Sequence, residues 1–238
     1  MNSTQAPHGS TSDDASYRRG ERRWLILAMA VGFPLFLVLL MCLPGLGPVF
    51  RVFSNPSTSM MPTLHAGSLS FVSRASYGYS RYSFDLFELP ITGRLPAWMP
   101  RRGDVVVFRL PRDRTTHFVK RVVGLPGDRI QMVKGRLSIN GQIVRTAPAQ
   151  RIPNPSDEKG EVPTYLETLP EGVAYRIIKL DGEGRPSDNT QVFAVPPGHL
   201  FVLGDNRDNS TDSRHQSGSY GVGFVPVELV VGRVLFTL

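Results

Sequence analysis

The chain of 238 residues holds a single cysteine, Cys42. That excludes an intrachain disulfide and any thiolate cluster able to grip zinc. An exported domain built from this sequence must be stabilised by its apolar core alone. Acidic residues are outnumbered 20 to 27 by lysine and arginine, for a net charge of +7. Such an excess raises the question of nucleic acid. The basic residues are scattered, however, apart from Arg18, Arg19, Arg22 and Arg23. Those four abut an apolar run, so membrane topology accounts for them and nucleic acid is not an expected partner. Beyond that run no segment carries the periodicity of a long amphipathic helix, which points away from a helical fold.

Charge is also missing from Trp24 to Leu43. Twenty helical residues span about 30 Å, the thickness of a bilayer core. Pro34 interrupts the run, which a membrane helix tolerates better than a soluble one. Four arginines precede the run and the next basic residue is Arg51. The positive-inside rule then leaves the N-terminus in the cytoplasm and everything after about residue 45 outside, on the periplasmic side. A cleavable secretory signal would have a shorter apolar core and small residues at its end. This run is longer and ends in Cys42-Leu43-Pro44-Gly45-Leu46, which favours an uncleaved, single-pass anchor in the cell membrane. Residues 1–23 are thus expected to be a cytoplasmic tail, disordered over the polar stretch 1–17, and 24–43 a transmembrane helix in the lipid bilayer.

After the anchor the pattern has period two. Asp104 to Phe108 is a β-branched run. Strands are expected over 117–124 and 128–133, separated by Leu125-Pro126-Gly127-Asp128, then over 136–139 and 142–145 around Asn140-Gly141, a strong short hairpin signal. Further strands are expected at 191–195, 200–203 and 229–236. The predicted fold class is therefore mostly β: one N-terminal transmembrane helix, then a β-rich core of bent antiparallel sheets or a partly open barrel over 44–145 and 191–238. Residues 146–190, rich in Pro, Gly and charge, read as a smaller inserted subdomain. A softer insertion lies around 76–101, where Tyr77, Tyr79 and Tyr82 precede Leu95-Pro96-Ala97-Trp98-Met99-Pro100.

Three segments carry candidate chemistry. In His117-Phe118-Val119-Lys120-Arg121-Val122-Val123-Gly124, Phe118, Lys120 and Val122 share one face, and His117, Val119, Arg121 and Val123 the other. Lys120 either snorkels to solvent or is desolvated, which lowers its pKa and yields a neutral amine. In Pro56-Ser57-Thr58-Ser59-Met60-Met61-Pro62-Thr63-Leu64, the hydroxyls read either as a linker or as nucleophiles beside exposed apolar surface. Met60, Met61 and Leu64 are expected to line pockets or touch lipid. The segment Gly204 to Arg214 follows a strand and is dense in polar groups. As a calcium loop counted from Asp208 it fails, with Ser213 where glycine is needed and Ser219 where glutamate is needed. It can instead build a buried polar network around an amine.

Together these segments resemble those of a bacterial type I signal peptidase, a membrane-anchored serine peptidase. Four blocks carry the resemblance: Ser57-x-Ser59-Met60-Met61-Pro62-Thr63-Leu64, Arg102 to Phe108, Phe118 to Asp128, and Gly204 to Arg214. They cover under a fifth of the chain, in order, behind a single anchor. The resemblance implies Ser59 as nucleophile and Lys120 as general base. It implies Ser57 as an oxyanion donor beside the Ser59 backbone N–H, and Ser210 as the group that hydrogen-bonds and orients the Lys120 amine. Asp212 and Arg214 would form a supporting ion pair, with Asp205 and Arg207 further out. No metal or organic cofactor is implied. The partners would be signal peptides of exported preproteins, cut after small residues at −3 and −1. The chain departs from the family in His117, in lacking a cysteine pair and in showing one anchor.

A histidine base is the competing mechanism, with His65, His117, His199 and His215 as candidates. On the strand assignment His117 faces away from Lys120, so both cannot serve one site. Two other functions share much of this pattern. One is a Ser-Lys peptidase dedicated to a single partner of the conjugation-pilin type. The other is a membrane-tethered β-rich module without catalysis.

Overall fold

The computed structural model describes residues 29–34, 36, 47, 49–85, 87–155, 160–180, 185–218 and 221–238. The chain divides into two units, residues 1–47 and residues 48–238. In the first, residues 29–34 and 36 are helical and expose apolar side chains, among them Met29, Val31, Phe33 and Phe36. The expected tail and most of the expected span lie outside the described residues. Among the described residues, no helix is long and apolar enough to cross a membrane.

The second unit is mostly β. Its strands in chain order are β1 (Phe50–Ser54), β2 (Leu69–Ser73), β3 (Tyr79–Ser80), β4 (Arg94–Leu95), β5 (Val105–Arg109), β6 (His117–Gly124), β7 (Arg129–Val133), β8 (Arg136–Ile139) and β9 (Gln142–Ile143). There follow β10 (Arg145–Pro148), β11 (Ile152–Pro153), β12 (Glu161–Val162), β13 (Thr164–Thr168), β14 (Ala174–Ile178), β15 (Phe193–Ala194), β16 (His199–Leu203), β17 (Val225–Pro226) and β18 (Val230–Thr237). The largest sheet has the order β1-β2-β18-β5-β6-β16-β17, with every pairing antiparallel.

This sheet curls on itself. β1 and β6 are four strand spacings apart in the order, about 19 Å in a flat sheet. Yet the rings of Phe53 on β1 and His117 on β6 lie 5.3 Å apart, and Phe53 packs on a cluster that includes Val107 and Val119. The register slips twice along β18 and once along β16, and such irregularities increase local twist. Gly232 sits at one slip on β18. A β-carbon there would meet the Ser73 carbonyl oxygen at 2.4 Å, so only glycine allows β2 to come that close.

Buried apolar residues on both faces of β5 and β6 explain their β-branched runs. Val106 and Val122 enter one cluster, Val107 a second and Val123 a third. That third cluster ties the large sheet, through Phe201 and Leu203, to the four-stranded sheet β15-β7-β8-β9, through Ile130, Met132 and Leu137. Tight turns build the latter: Asn140 and Gly141 have φ of 54° and 82°, Lys134 and Gly135 have 49° and 73°, the left-handed values that two-residue hairpins require.

The strand at 117–124 falls where alternation placed it, and 104–108 and 229–236 shift by one residue. Alternation missed β1 and β2. The 142–145 strand breaks at the buried Val144, and 191–195 shortens to β15. The irregular stretch 146–190 contributes most of a three-stranded antiparallel sheet, β10-β13-β14. Its Leu169, Tyr175 and Ile177 join the same core as Phe201. Phe201 is therefore a keystone: fully buried, and packed on both Phe193 and Phe224. Phe201→Ala is expected to cost about 3–5 kcal/mol of stability, read from denaturant unfolding. A loss below about 1 kcal/mol would contradict this packing account.

Candidate active site

The serine-rich turn after β1 is held in place from below. Leu64 N–H donates to the Met60 carbonyl and Met61 N–H to the Thr58 carbonyl, closing the turn. Asn206 N–H donates to the Ser59 carbonyl at 3.0 Å, and Asn206 Nδ2 donates to the Thr58 carbonyl. The turn is thus clamped onto the loop after β16. Gly204 makes the clamp possible: a β-carbon there would meet Ser210 Oγ at 2.1 Å and the Ser59 carbonyl oxygen at 2.6 Å.

Met60 and Leu64 are buried in this clamp and are unavailable to lipid. The groove beside Ser59, about 290 Å³, is lined instead by Phe53, Pro56, Val107, Phe118 and Val119, together with Ser57, Lys120 and His117. Turning Met60 and Leu64 inward lets the turn seat against the sheet, and the apolar lining comes from β1, β5 and β6 and from Pro56 of the turn.

Lys120 stands in the middle of β6, opposite Val106. It is 4% exposed, and Ser59 is 6% exposed. Lys120 Nζ donates to Ser59 Oγ at 2.6 Å. Burial pushes the amine down to about 8, opposed by the negative charges of Asp212 and Asp205 and aided by Arg214. The snorkelling alternative is thereby excluded: the head group is dry. The Ser59 backbone N–H donates to Ser57 Oγ at 3.1 Å, so two hydrogen-bond donors converge at the mouth of the groove, where Ser57 is exposed.

The expected supporting groups also gather here. Asp212 and Arg214 pair through Nε at 2.8 Å and Nη2 at 2.9 Å, both side chains buried. That pairing holds the Asp212 carboxyl below its ordinary value despite burial. Asp212 also accepts from Gly204 N–H at 3.0 Å. Ser210 lies against Gly204, but its buried hydroxyl makes no hydrogen bond. The expected Ser210–Lys120 bond is therefore not formed; the Lys120 amine is engaged with Ser59 instead. Asp205 is held by Arg121 through Nε at 2.8 Å and Nη2 at 2.6 Å and accepts from Thr63 Oγ1 at 2.5 Å. Arg207 is clamped by Glu167, one contact at 3.0 Å, and Glu167 also accepts from the Tyr175 hydroxyl.

Four of these groups were not anticipated. Arg121 and Thr63 lie inside the recognised blocks, so their position was a signal. Glu167 and Tyr175 lie in the irregular stretch, where nothing in the sequence pairs them with Arg207. The remaining block meets the Lys120 block as well: Arg102 Nη1 donates to Asp128 Oδ2 at 2.7 Å and to the Val123 carbonyl at 2.6 Å.

Three of the four candidate histidines lie outside the groove beside Ser59, and the fourth, His117, lines it. His65 and His215 are exposed, and His199 bonds the Pro197 carbonyl. His117 Nε2 lies 3.2 Å from Asp85 Oδ1 without hydrogen-bond geometry. Burial first, then Arg51, Arg109 and Arg74, hold its pKa at about 4. Alternation separates His117 from Lys120 along the strand, yet both line one groove, because Phe53 of the curled-over edge strand closes against the start of β6. Among the described residues, no group of three or more His, Cys, Asp or Glu side chains could hold a metal ion.

A family model described as signal peptidase, peptidase S26, matches residues 26–238. The chain belongs to the peptidase S26 family. The signal peptidase I of Rickettsia canadensis (strain McKiel) is 41% identical over 196 residues, covering 79% of this chain and 71% of that protein. The signal peptidase I of Rickettsia typhi (strain ATCC VR-144 / Wilmington) is 38% identical over 207 residues, with the same coverage. A crystal structure of a signal peptidase I from Enterococcus faecalis V583 aligns at 26% identity over 57% of this chain and 97% of that one, with a TM-score of 0.32.

In this S26 peptidase the dry amine has a thermodynamic consequence. In the unfolded chain Lys120 stays charged up to about pH 10.5, in the folded chain only up to about 8. Between those values the unfolded chain binds more protons, so stability rises with pH. Below about pH 8 the folded chain bears the whole cost, about 3 kcal/mol. Lys120→Met removes that cost, offset in part by the Ser59 hydroxyl's lost partner. The variant's stability relative to the parent is expected to be greatest below pH 8 and to decline steadily from pH 8 to 10.5 in unfolding titrations. A difference that does not change with pH would contradict a desolvated lysine.

Proposed function

We propose that this protein is a membrane-anchored serine endopeptidase that removes signal peptides from exported preproteins, with Ser59 as nucleophile and Lys120 as general base. The observation that carries this reading is the 2.6 Å contact between a buried amine and a buried hydroxyl in a chain of the signal peptidase family. A neutral Lys120 accepts the Ser59 proton, which a lysine at its ordinary pKa could not do near neutral pH. Ser59 Oγ then attacks the scissile carbonyl.

Negative charge develops on the carbonyl oxygen. The Ser59 N–H and the Ser57 hydroxyl, which now meet each other, turn to that oxygen, each donor contributing about 3 kcal/mol. The Lys120 ammonium gives its proton to the leaving amine. Water, deprotonated by the same amine, hydrolyses the acyl-enzyme. Asp212 paired with Arg214 fixes the 204–214 loop behind the dyad. The free Ser210 hydroxyl serves to steer the Lys120 amine once Ser59 is acylated and no longer occupies it.

The substrate is cut after small residues at −3 and −1, which suit the shallow, apolar groove beside Ser59. Residues 24–43 anchor the chain in the cell membrane with the N-terminus cytoplasmic and the catalytic domain on the periplasmic side. The core comprises 44–145 and 191–238, with 146–190 as its inserted subdomain. Anchoring enzyme and preprotein in one bilayer raises their effective concentration.

Cleavage of a panel of unrelated preproteins by the detergent-solubilised full chain tests this. Ser59→Ala and Lys120→Met are each expected to lower kcat/KM by about 10³-fold or more. The parent's kcat/KM is expected to rise with pH through an apparent pKa of about 8, as Lys120 loses its proton. Cleavage retained in Lys120→Met, or a limb near pH 4 where His117 titrates, would overturn the dyad. Cleavage confined to one preprotein would favour a dedicated peptidase.

A further inference from the structure

One buried ion pair has no part in the chemistry described so far. Glu167 and Arg207 are each 1% exposed, and they come from different parts of the chain. Arg207 lies in the loop after β16, and Glu167 on β13, in the sheet built mostly from residues 146–190. That sheet is docked on the loop through its backbone. Ile178, at the end of β14, donates its N–H to the Asp205 carbonyl and accepts from the Arg207 N–H, both at 2.9 Å. Tyr175 of β14 stands opposite Glu167 of β13 in register and donates its hydroxyl to it at 2.5 Å. The face of the Tyr175 ring takes the Arg121 guanidinium at 3.9 Å, and its hydroxyl meets Arg207 Nη2 at 3.4 Å. Tyr175 is therefore a spacer between two buried guanidinium groups.

Both cations act on the same carboxylate. Burial works against the charge on Arg121; Asp205 restores it and Arg207 opposes it. Burial works against Arg207 too; Glu167, then Tyr175 and Asp205, more than restore its charge. Asp205 already accepts from Arg121 and Thr63. With Glu167 in place, each guanidinium has a carboxylate of its own. On the far side of Glu167, a hollow of about 420 Å³ also holds Lys179, which Asp208 and Asp188 engage at 2.9 and 3.1 Å. Lys134 and Arg136 border that hollow but are exposed, so solvent screens them. Beyond burial, the charges acting on Lys120 are Asp212, Asp205 and Arg214, and Ser59 and the Phe118 ring face its amine.

We propose that Glu167, carried by the inserted sheet, is a positioning residue for the dyad: by holding Arg207 it leaves Asp205 to Arg121 and keeps an unpaired cation from acting on Lys120. The proposal rests on the peptidase reading above. An unpaired guanidinium behind Asp205 would cancel more of that carboxylate's field and add its own, and both disfavour a charged amine. Lys120 would then lose its proton at lower pH and be a weaker base. At an effective dielectric of about 20, one charge about 15 Å away changes a proton affinity about sixfold.

The test is the pH dependence of kcat/KM for the detergent-solubilised full chain on a preprotein. Glu167→Gln leaves the cation unpaired, and its rising limb is expected to move towards acid by about threefold or more in proton concentration. Glu167→Asp, one methylene shorter, loosens the clamp and is expected to move the limb the same way, by less. Glu167→Gln combined with Arg207→Gln removes both charges, a change that buried pairs often tolerate, and is expected to return the limb to the parent's position. A merely structural role would act oppositely: a loosened site admits water to Lys120 and moves the limb towards 10.5. A Glu167→Gln limb at or above the parent's overturns the proposal, as does a double variant displaced as far towards acid as Glu167→Gln. Should Glu167→Gln fail to fold, Glu167→Asp is read against the double variant. Failure of Glu167→Asp to fold as well makes the pair a structural strut and also overturns the proposal. A parent chain that cleaves no preprotein overturns the peptidase reading instead.

Discussion

Everything in this molecule that bears on chemistry depends on keeping one amine dry. Lys120 is almost wholly buried, and its neutral form comes within reach of neutral pH only because burial outweighs two nearby carboxylates. The balance is close by design of the surroundings. Asp205 is tied to Arg121 and Asp212 to Arg214, so each carboxylate spends most of its field on its own guanidinium. Without those partners both would pull the proton back onto the amine. The ion pairs are therefore better understood as insulation for Lys120 than as sources of stability, since buried pairs repay their desolvation only with good geometry.

The scaffold follows from that need. A dry lysine requires a strand buried on both faces, and β6 has one, flanked by β5 and β16. A hydroxyl within reach of that amine requires a turn brought over that strand, and the curl of the large sheet supplies it by folding β1 back towards β6. Gly232 and Gly204 permit the two closest approaches, one between strands and one between the serine turn and the loop behind it. The same curl forms the groove, so the Ser59–Lys120 contact and the groove beside it share one structural cause.

Much of this could be read from the sequence, and the omissions have identifiable reasons. β5, β6 and the Asn140-Gly141 hairpin announce themselves because β-branched alternation and a left-handed turn leave strong local patterns. Ser59 and Lys120 could be paired through their blocks although 61 residues separate them. β1 escaped because Phe50 to Ser54 is half-exposed along its whole length, so its alternation is weak. Glu167 escaped because its partner, Arg207, is 40 residues away and no local signal links them. Ser210 lies against Gly204, but its expected hydrogen bond to Lys120 is absent: which of two hydroxyls an amine chooses depends on geometry at the scale of an ångström. Met60 and Leu64 were misjudged because an apolar pair beside a membrane anchor looks exposed until the turn is seen to fold inward.

The most direct test of the central claim is to titrate the Lys120 side chain itself. NMR of selectively labelled lysine in the full-length chain, with Ser59→Ala and Lys120→Met samples to assign the signal and isolate the amine, would follow its protonation. The account predicts a single transition near pH 8. A transition near 10.5, the value of a lysine in water, would contradict it.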